Sequence, residues 1–273
     1  MSTLTTTTVL DELRAKQQQV WSSGDYNKIA AITVPVSEFL VDHVGVRPGS
    51  EVLDIATGTG HAALATARQG APTTGVDYVP ALLDIARRRA AAEQLAIDFV
   101  EAPAEKLPFA DASFDLTLSA IGVMFSADHD TAAAEIARVT RPGGRIGLAS
   151  WTASGFVGGM LGIVGRHVAP PPGAKSPLRW ADEGVVADLF AGSVEHVRSV
   201  TSVVTQRFAS AEAFADMFLA YYGPTHMAAK KLDAEGRDAL RADLVAHAAA
   251  SGHADGNGLV CHWEFRVITA TRL

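Results

Sequence analysis

Between Val52 and about Trp151, short apolar runs alternate with segments of helical periodicity, the pattern of repeated strand–helix units around a parallel sheet. The runs predict strands at Glu51–Ala56, Thr73–Asp77, Ile97–Val100, Phe114–Ile121 and Arg145–Trp151. Helices are predicted at His61–Gln69, Pro80–Gln94 and Asp128–Thr140, with Pro80 in a first turn where its missing N–H does no harm. Strands of this kind are covered on both faces and so read as near-continuous apolar runs. Phe114-Asp-Leu-Thr-Leu-Ser-Ala-Ile121 mostly does.

Residues 10–44 read as helical, with a break expected at Pro35. Beyond the core, Ala169-Pro-Pro-Pro-Gly173 and Pro177 mark a loop, and Val194–Phe208 is rich in β-branched residues. Two Ala-rich helical stretches follow, near Ser210–Tyr222 and Asp233–Ala250, before Gly252–Gly258 breaks the chain. Trp263, Phe265 and Val267 then alternate with His262, Glu264 and Arg266, as in a one-sided strand near a sheet edge. The expected fold is α/β: a Rossmann-like, seven-stranded, mostly parallel sheet with helices on both faces. An N-terminal helical lid (1–44), a ligand-binding core (45–151) and a helical insertion with the last two strands (152–273) form one structural domain.

Composition narrows the function classes. With 48% hydrophobic residues the 273-residue chain can bury a large core. A net charge of −7 provides no positive field for a phosphate backbone, so no nucleic-acid partner is expected. The single Cys261 cannot form an intramolecular disulfide, and the N-terminus lacks a basic flank followed by an apolar core, so a cytoplasmic setting is the expectation. Ile146–Gly165 is free of charge for 20 residues, but six of them are glycines and the stretch reads as a strand followed by a Gly-rich segment rather than a membrane span. Homo-oligomerisation is left open.

Val52-Leu-Asp-Ile-Ala-Thr-Gly-Thr-Gly60 carries the chemistry: a strand runs into a glycine turn ahead of a helix whose first N–H groups are free. Asp77, 19 residues beyond Gly58, stands where a ribose-binding acid belongs. On spacing alone this fits either a dinucleotide site or another nucleotide-type site, and a nicotinamide-dependent oxidoreductase is the alternative enzyme. A non-catalytic cofactor-binding or interaction protein is the alternative outside catalysis.

That segment and three further ones resolve the ambiguity together: VLDIATGTG (52–60), GVDYVPALLDIARRRA (75–90), AEKLPFADASFDLTLSAIGVMF (104–125) and EIARVTRPGGRIGLASW (135–151). In order and spacing they resemble the class I S-adenosylmethionine-dependent methyltransferases, especially the small-molecule branch of ubiquinone and menaquinone biosynthesis. The resemblance implies methyl transfer from S-adenosyl-L-methionine, with S-adenosyl-L-homocysteine as product, to an O, N or C atom of a small-molecule acceptor, in a secondary-metabolism setting.

It further implies that Asp54, Ala56, Gly58 and Gly60 border the methionine half of the cofactor, and that Asp77 receives the ribose hydroxyls. Tyr78 would lie on the adenine face, Ala104 and Glu105 at its edge, and Ala120 near the methionine amino group. QQQVWSSGDYNKIA (17–30) resembles a helical lid, in which Trp21 and Tyr26 would face the sulfonium; the bland reading is ordinary helix packing. Ala102-Pro103 stands where many relatives carry Gly-Asp, and His61 where close relatives often carry Asn. Asp54 could instead cap its turn, and Arg87-Arg88-Arg89 reads as a solvated helix face. The nine histidines show no metal-ligand spacing, so no metal is expected. His129, just beyond the fourth strand, is the candidate base; its bland alternatives are a helix cap or a solvent-exposed side chain.

Overall fold

The computed structural model describes residues 6–256 and 258–273, with side chains from residue 11 onward. Five parallel strands form the core: β1 (Val52–Ile55), β2 (Thr73–Asp77), β3 (Ile97–Glu101), β4 (Phe114–Ala120) and β5 (Thr140–Trp151). Late in the chain come β6 (Val194–Phe208), β7 (His253–Asp255) and β8 (Gly258–Arg272). Strand order is β3-β2-β1-β4-β5-β8-β6, with β8 antiparallel to both neighbours and the short β7 paired to β8 as an eighth strand. The predicted seven strands are all present, and β7 arises where only a chain break was expected.

Order reverses between β1 and β4, so a crevice opens there beyond the strand C-termini. Right-handed crossovers place α3 (His61–Arg68) and α4 (Pro80–Ala92) on one face and α5 (His129–Val139) on the other. The strand interiors are fully buried, Val52, Leu53, Leu116 and Leu118 at 0% exposure, which is why these segments read as apolar runs. β5 begins five residues earlier than predicted. Its Arg141–Gly144 stretch bulges out of the ladder with β4, as the Pro-Gly-Gly turn requires, before pairing resumes at Arg145.

The helical break falls elsewhere than Pro35. Helix α1 (Thr6–Trp21) and helix α2 (Tyr26–Val44) are separated at Ser22–Asp25, where Gly24 takes φ +72° and packs so close that a Cβ would sit 2.9 Å from the Tyr221 carbonyl. Pro35 lies inside α2. Side chains serve the carbonyls on either side of Ala31, whose own helical partner the proline lacks: Thr33 Oγ1 donates to Ala30 O (2.9 Å) and Gln206 Nε2 to Ile32 O (2.5 Å). The second half of α2 is core, with Val36, Leu40 and Val41 fully buried and Val44 seated on Gly147 of β5, where a Cβ would collide with it. Over the crevice lie α1 and α2 as far as Ser37.

The uncharged stretch 146–165 divides between β5 and α6 (Phe156–His167), and among the described residues no helix is long and apolar enough to cross a membrane. Helices α7 (Glu183–Leu189), α8 (Ala211–Tyr221), α9 (Gly223–Lys231) and α10 (Ala234–Ser251) complete the insertion. It interrupts the chain twice, once between β5 and β6 and again between β6 and β7, whereas one helical segment after the fifth strand was expected. β8 lies one strand in from the edge, with Trp263, Phe265 and Val267 buried and His262 exposed, as the alternation predicts.

Candidate functional site

Two buried carboxylates end adjacent parallel strands. Asp54 Oδ2 accepts Thr57 Oγ1 (2.5 Å) and Ala63 N (2.9 Å), so it closes the glycine turn and caps the start of α3 at once. Asp77 accepts Gly58 N on Oδ2 and Val79 N on Oδ1, both at 2.9 Å, and so ties the same turn to the end of β2. Burial pushes both acids upward against these hydrogen bonds, Asp54 to about 7 and Asp77 to about 6. The turn between them is strained: Ala56 takes φ +54° without being glycine, alongside Gly58 at +55°. Arg89 braces it from α4, Nη1 donating to Thr59 O (2.7 Å), so the last of the three arginines is not part of a solvated face.

Above the strand ends lies a cavity with about 960 Å³ of empty space, part of it open to solvent. Its floor is Asp54, Ala56, Gly58 and Asp77; Ala120, Ile121 and Gly122 close one end after β4, and Tyr78, Leu82, Ala102, Ala104 and Glu105 form the other. Ile121 at φ +55°, a β-branched residue in the left-handed region, is a second strained position on this wall. Gly122 approaches so closely that a Cβ would lie 2.6 Å from the Ala56 carbonyl. Ser119 Oγ locks the two walls together, donating to Ile55 O (2.6 Å) and accepting Val123 N (2.9 Å).

Helix α1 roofs the cavity. Trp21 packs edge-on against Tyr26 (5.3 Å), Phe125 (4.8 Å) and Tyr222 (5.8 Å), so it both lines the cavity and packs the lid. Burial, with Asp77 nearby, raises the Tyr26 hydroxyl to about 12. Glu105 accepts Ala127 N (2.7 Å) and Asp128 N (3.2 Å), which anchors the loop after β4.

Trp21, Tyr26, Asp54, Ala56, Gly58, Asp77, Tyr78, Ala104, Glu105 and Ala120 thus meet around one cavity. Gly60 and His129 do not line it. Gly60 caps α3 at φ +85° and faces Ala86, 3.0 Å from where its Cβ would be, so its role is helix packing. His129 is 1% exposed, stacked edge-on against Trp180 (5.6 Å) and pushed down to about 4, chiefly by burial. Neither bland alternative holds for it, because Asp128 caps α5 and the ring is buried.

Among the lining residues that the sequence reading did not name as site groups, Arg14, Gln17 and His61 carry polar nitrogen side chains. The first two share one face of α1 with Gln18 and Trp21, at spacings of three, four and seven, a signal hidden because that face is polar. His61 stands at the start of α3 and is held neutral, down to about 3, by burial and then by Arg89 and Arg68.

Residues 53–148 match the methyltransferase domain family. This chain is a class I S-adenosylmethionine-dependent methyltransferase. It is 37% identical over 269 residues to an uncharacterized protein of Mycobacterium tuberculosis, covering 95% of each chain. It is 44% identical over 128 residues to the demethylmenaquinone methyltransferase of Deinococcus radiodurans, covering 45% of this chain and 53% of that one. Among solved structures, the YcgJ protein of Bacillus subtilis superposes with a TM-score of 0.60 at 19% identity over 86% of this chain and 97% of that one, a likeness of fold. The oxidoreductase alternative gives way to this assignment, and S-adenosylmethionine is the methyltransferase's cofactor.

Proposed function

We propose that the cavity holds S-adenosylmethionine across the ends of β1, β2 and β4 and delivers its methyl group to a small-molecule acceptor under α1. The observation that carries this reading is the pair Asp54 and Asp77, buried side by side under a glycine turn and both facing one cavity. The donor set fits the cofactor. Each Asp77 oxygen spends one lone pair on a backbone N–H and keeps another for a ribose hydroxyl. Gly58 and Ala56 offer no bulk against the methionine half, with Ala120 at its amino group, and Tyr78, Leu82, Ala102 and Ala104 make a flat apolar slot for the base, with Glu105 at its edge.

When bound, the cofactor supplies a methyl group already activated by its sulfonium. The chain's own residues therefore align two reactants and exclude water, effects that supply on the order of 7–11 kcal/mol when geometry is good. Trp21 and Tyr26 close over the reacting end and present ring faces suited to a cation. An acceptor entering beside Trp21, Phe125 and Ile121 meets mostly apolar wall, which favours a small, largely apolar or aromatic molecule. Where such an acceptor carries a proton on its nucleophilic atom, His61 replaces His129 as the imidazole that lines the cavity; burial keeps it neutral and only weakly basic, so it orients that proton as a hydrogen-bond acceptor rather than drawing it off as a strong base.

The test is transfer of isotopically labelled methyl from S-adenosylmethionine to a panel of small hydroxylated aromatics, amines and activated carbon acids, beside S-adenosylhomocysteine binding by calorimetry. Labelled product with any acceptor class supports the reading. Binding without transfer across the whole panel favours the non-catalytic alternative.

A further inference from the structure

The underside of the lid is polar, and a lid that only covered apolar surface would not be. Arg14 and Gln17 of α1 line the cavity with Trp21, and Gln18 shares their helix face. Gln18 is already engaged, its Nε2 donating to the Tyr78 carbonyl, and this fixes α1 over the end of β2. Arg14 reaches the loop after β3, with Nε 3.9 Å from Glu105 Oε2, beyond hydrogen-bond distance. That Nε is buried and has no hydrogen-bond partner among the described residues. Gln17 lies between these two anchors and lines the cavity.

Buried donors without partners are costly and call for an acceptor. The part of the cofactor beneath them follows from the topology. With the ribose at Asp77 and the glycine turn over β1, the remaining polar edge above Tyr78 and Ala104 is that of the base. Between the lining residues Ala102 and Ala104, Pro103 has no N–H and no acid, and the one carboxylate at this edge, Glu105, already spends Oε1 on the N–H groups of Ala127 and Asp128.

We propose that α1 reads the adenine edge from above: the Gln17 amide accepts from the 6-amino group and donates to the neighbouring ring nitrogen, while Arg14 donates to a remaining acceptor on the base. The pairing of a glutamine amide with the amino group and N7 of adenine is geometrically matched. Base recognition is thereby placed on the element that closes the site, so that adenine and lid secure each other. This inference rests on the proposed placement of S-adenosylmethionine.

The experiment is titration calorimetry of the full chain with S-adenosylhomocysteine and with its analogue in which hydrogen replaces the 6-amino group. Wild type should prefer the adenine form by roughly tenfold to a hundredfold, the range of a bidentate amide–adenine pair. Gln17→Leu should bring the two affinities to within about threefold, losing most on S-adenosylhomocysteine and less on the analogue, which keeps only the ring nitrogen to accept from Gln17, with an unchanged melting temperature showing that the variant is folded. Equal affinities in wild type, or an undiminished preference in Gln17→Leu, would overturn the assignment. Asp77→Ala distinguishes this failure from failure of the site itself: if it binds both ligands as wild type does, the cavity reading is wrong, not merely the role of Gln17.

Discussion

Gly58 donates its backbone N–H to Asp77 Oδ2 at 2.9 Å, across 19 residues of chain, and that single bond couples the glycine turn after β1 to the acid that ends β2. The turn's shape and the acid's position are therefore one structural unit. A change at either residue is felt at the other.

Asp77→Ala is expected to weaken S-adenosylhomocysteine binding by about 1.5–3 kcal/mol, because two hydrogen bonds to a charged acceptor are lost at once. The turn also loses its tie through Gly58. Calorimetry on the folded variant checks this, and wild-type affinity would refute the ribose assignment.

The raised acids give a pH signature. Asp77 near 6 and Asp54 near 7 are both above the ordinary carboxylate value of 3.8, so between pH 7 and 4 the native state holds protons that the unfolded chain has released. Their contribution to stability therefore grows as pH falls through this window. His61 and His129, lowered to about 3 and about 4, act in the opposite direction below pH 6.5. The diagnostic quantity is a difference: the melting temperature of wild type minus that of Asp77→Asn should increase as pH falls from 7.5 to 4.5. Cofactor affinity of wild type should decline over the same range, below about pH 6, as protonation removes acceptor capacity. A melting difference that is flat with pH would show that Asp77 titrates normally.

Gly122→Ala tests how tightly the two cavity walls are locked. Its Cβ would fall 2.6 Å from Ala56 O and 2.9 Å from Ser119 Oγ, against a residue already strained at φ +54°. A loss of about 1–3 kcal/mol in stability is expected from such overpacking, with weakened cofactor binding alongside. Gly58→Val should differ: a Cβ at Gly58 meets only Tyr26 Cε1, at 4.0 Å, so the space it enters belongs to the cavity. Binding is abolished while the fold survives, at the expense of a left-handed β-branched residue. Denaturant titration paired with calorimetry separates the two behaviours.

Much of this site was legible because the sheet is built from local signals. The run Val52–Ile55 ends in a glycine turn with Asp77 at the spacing of a nucleotide-type site, while the part given to Asp54 and Gly58 came from the resemblance to class I methyltransferases. Gly60 and His129 lie off the cavity because adjacency in sequence to a strand end does not fix what a residue faces: the Cα of Gly60 is closed in by Ala86, and the His129 ring packs against Trp180. Arg14 and Gln17 were illegible because a polar helix face normally means solvent, and only the fold shows it roofing a cavity. The break at Ser22–Asp25 lost out to Pro35 because proline is the stronger local signal, and the carbonyl partners that Thr33 and Gln206 provide cannot be read locally.

His129→Phe should leave methyl transfer unchanged in kcat/KM and act on stability alone, since the ring is buried beside Trp180 and does not line the cavity. His61→Phe should instead reduce transfer to protonated O or C acceptors while sparing amines delivered neutral. Steady-state kinetics on both variants with both acceptor classes decides the matter. A large kcat loss in His129→Phe would restore it as the base.

The lid prediction follows from where α1 is attached. Residues up to Gly24 can be removed without touching the buried half of α2, whereas a cut at residue 30 would expose the core beneath Val36 and Leu40. Deleting 1–24 should therefore lower the melting temperature by only a few degrees and reduce turnover far more, because Trp21 and the polar underside leave together. A finer perturbation keeps every lid residue: a Cβ on Gly223 of α9 would overlap the Val20 carbonyl, so Gly223→Ala displaces the lid's end from its dock. Hydrogen exchange over residues 11–24 gives the direct readout. Protection that rises on adding S-adenosylhomocysteine to wild type, and fails to rise in Gly223→Ala, identifies a closing lid. Full protection already present without ligand would mean that α1 is a fixed part of the fold, and stability would then fall in step with activity in both variants.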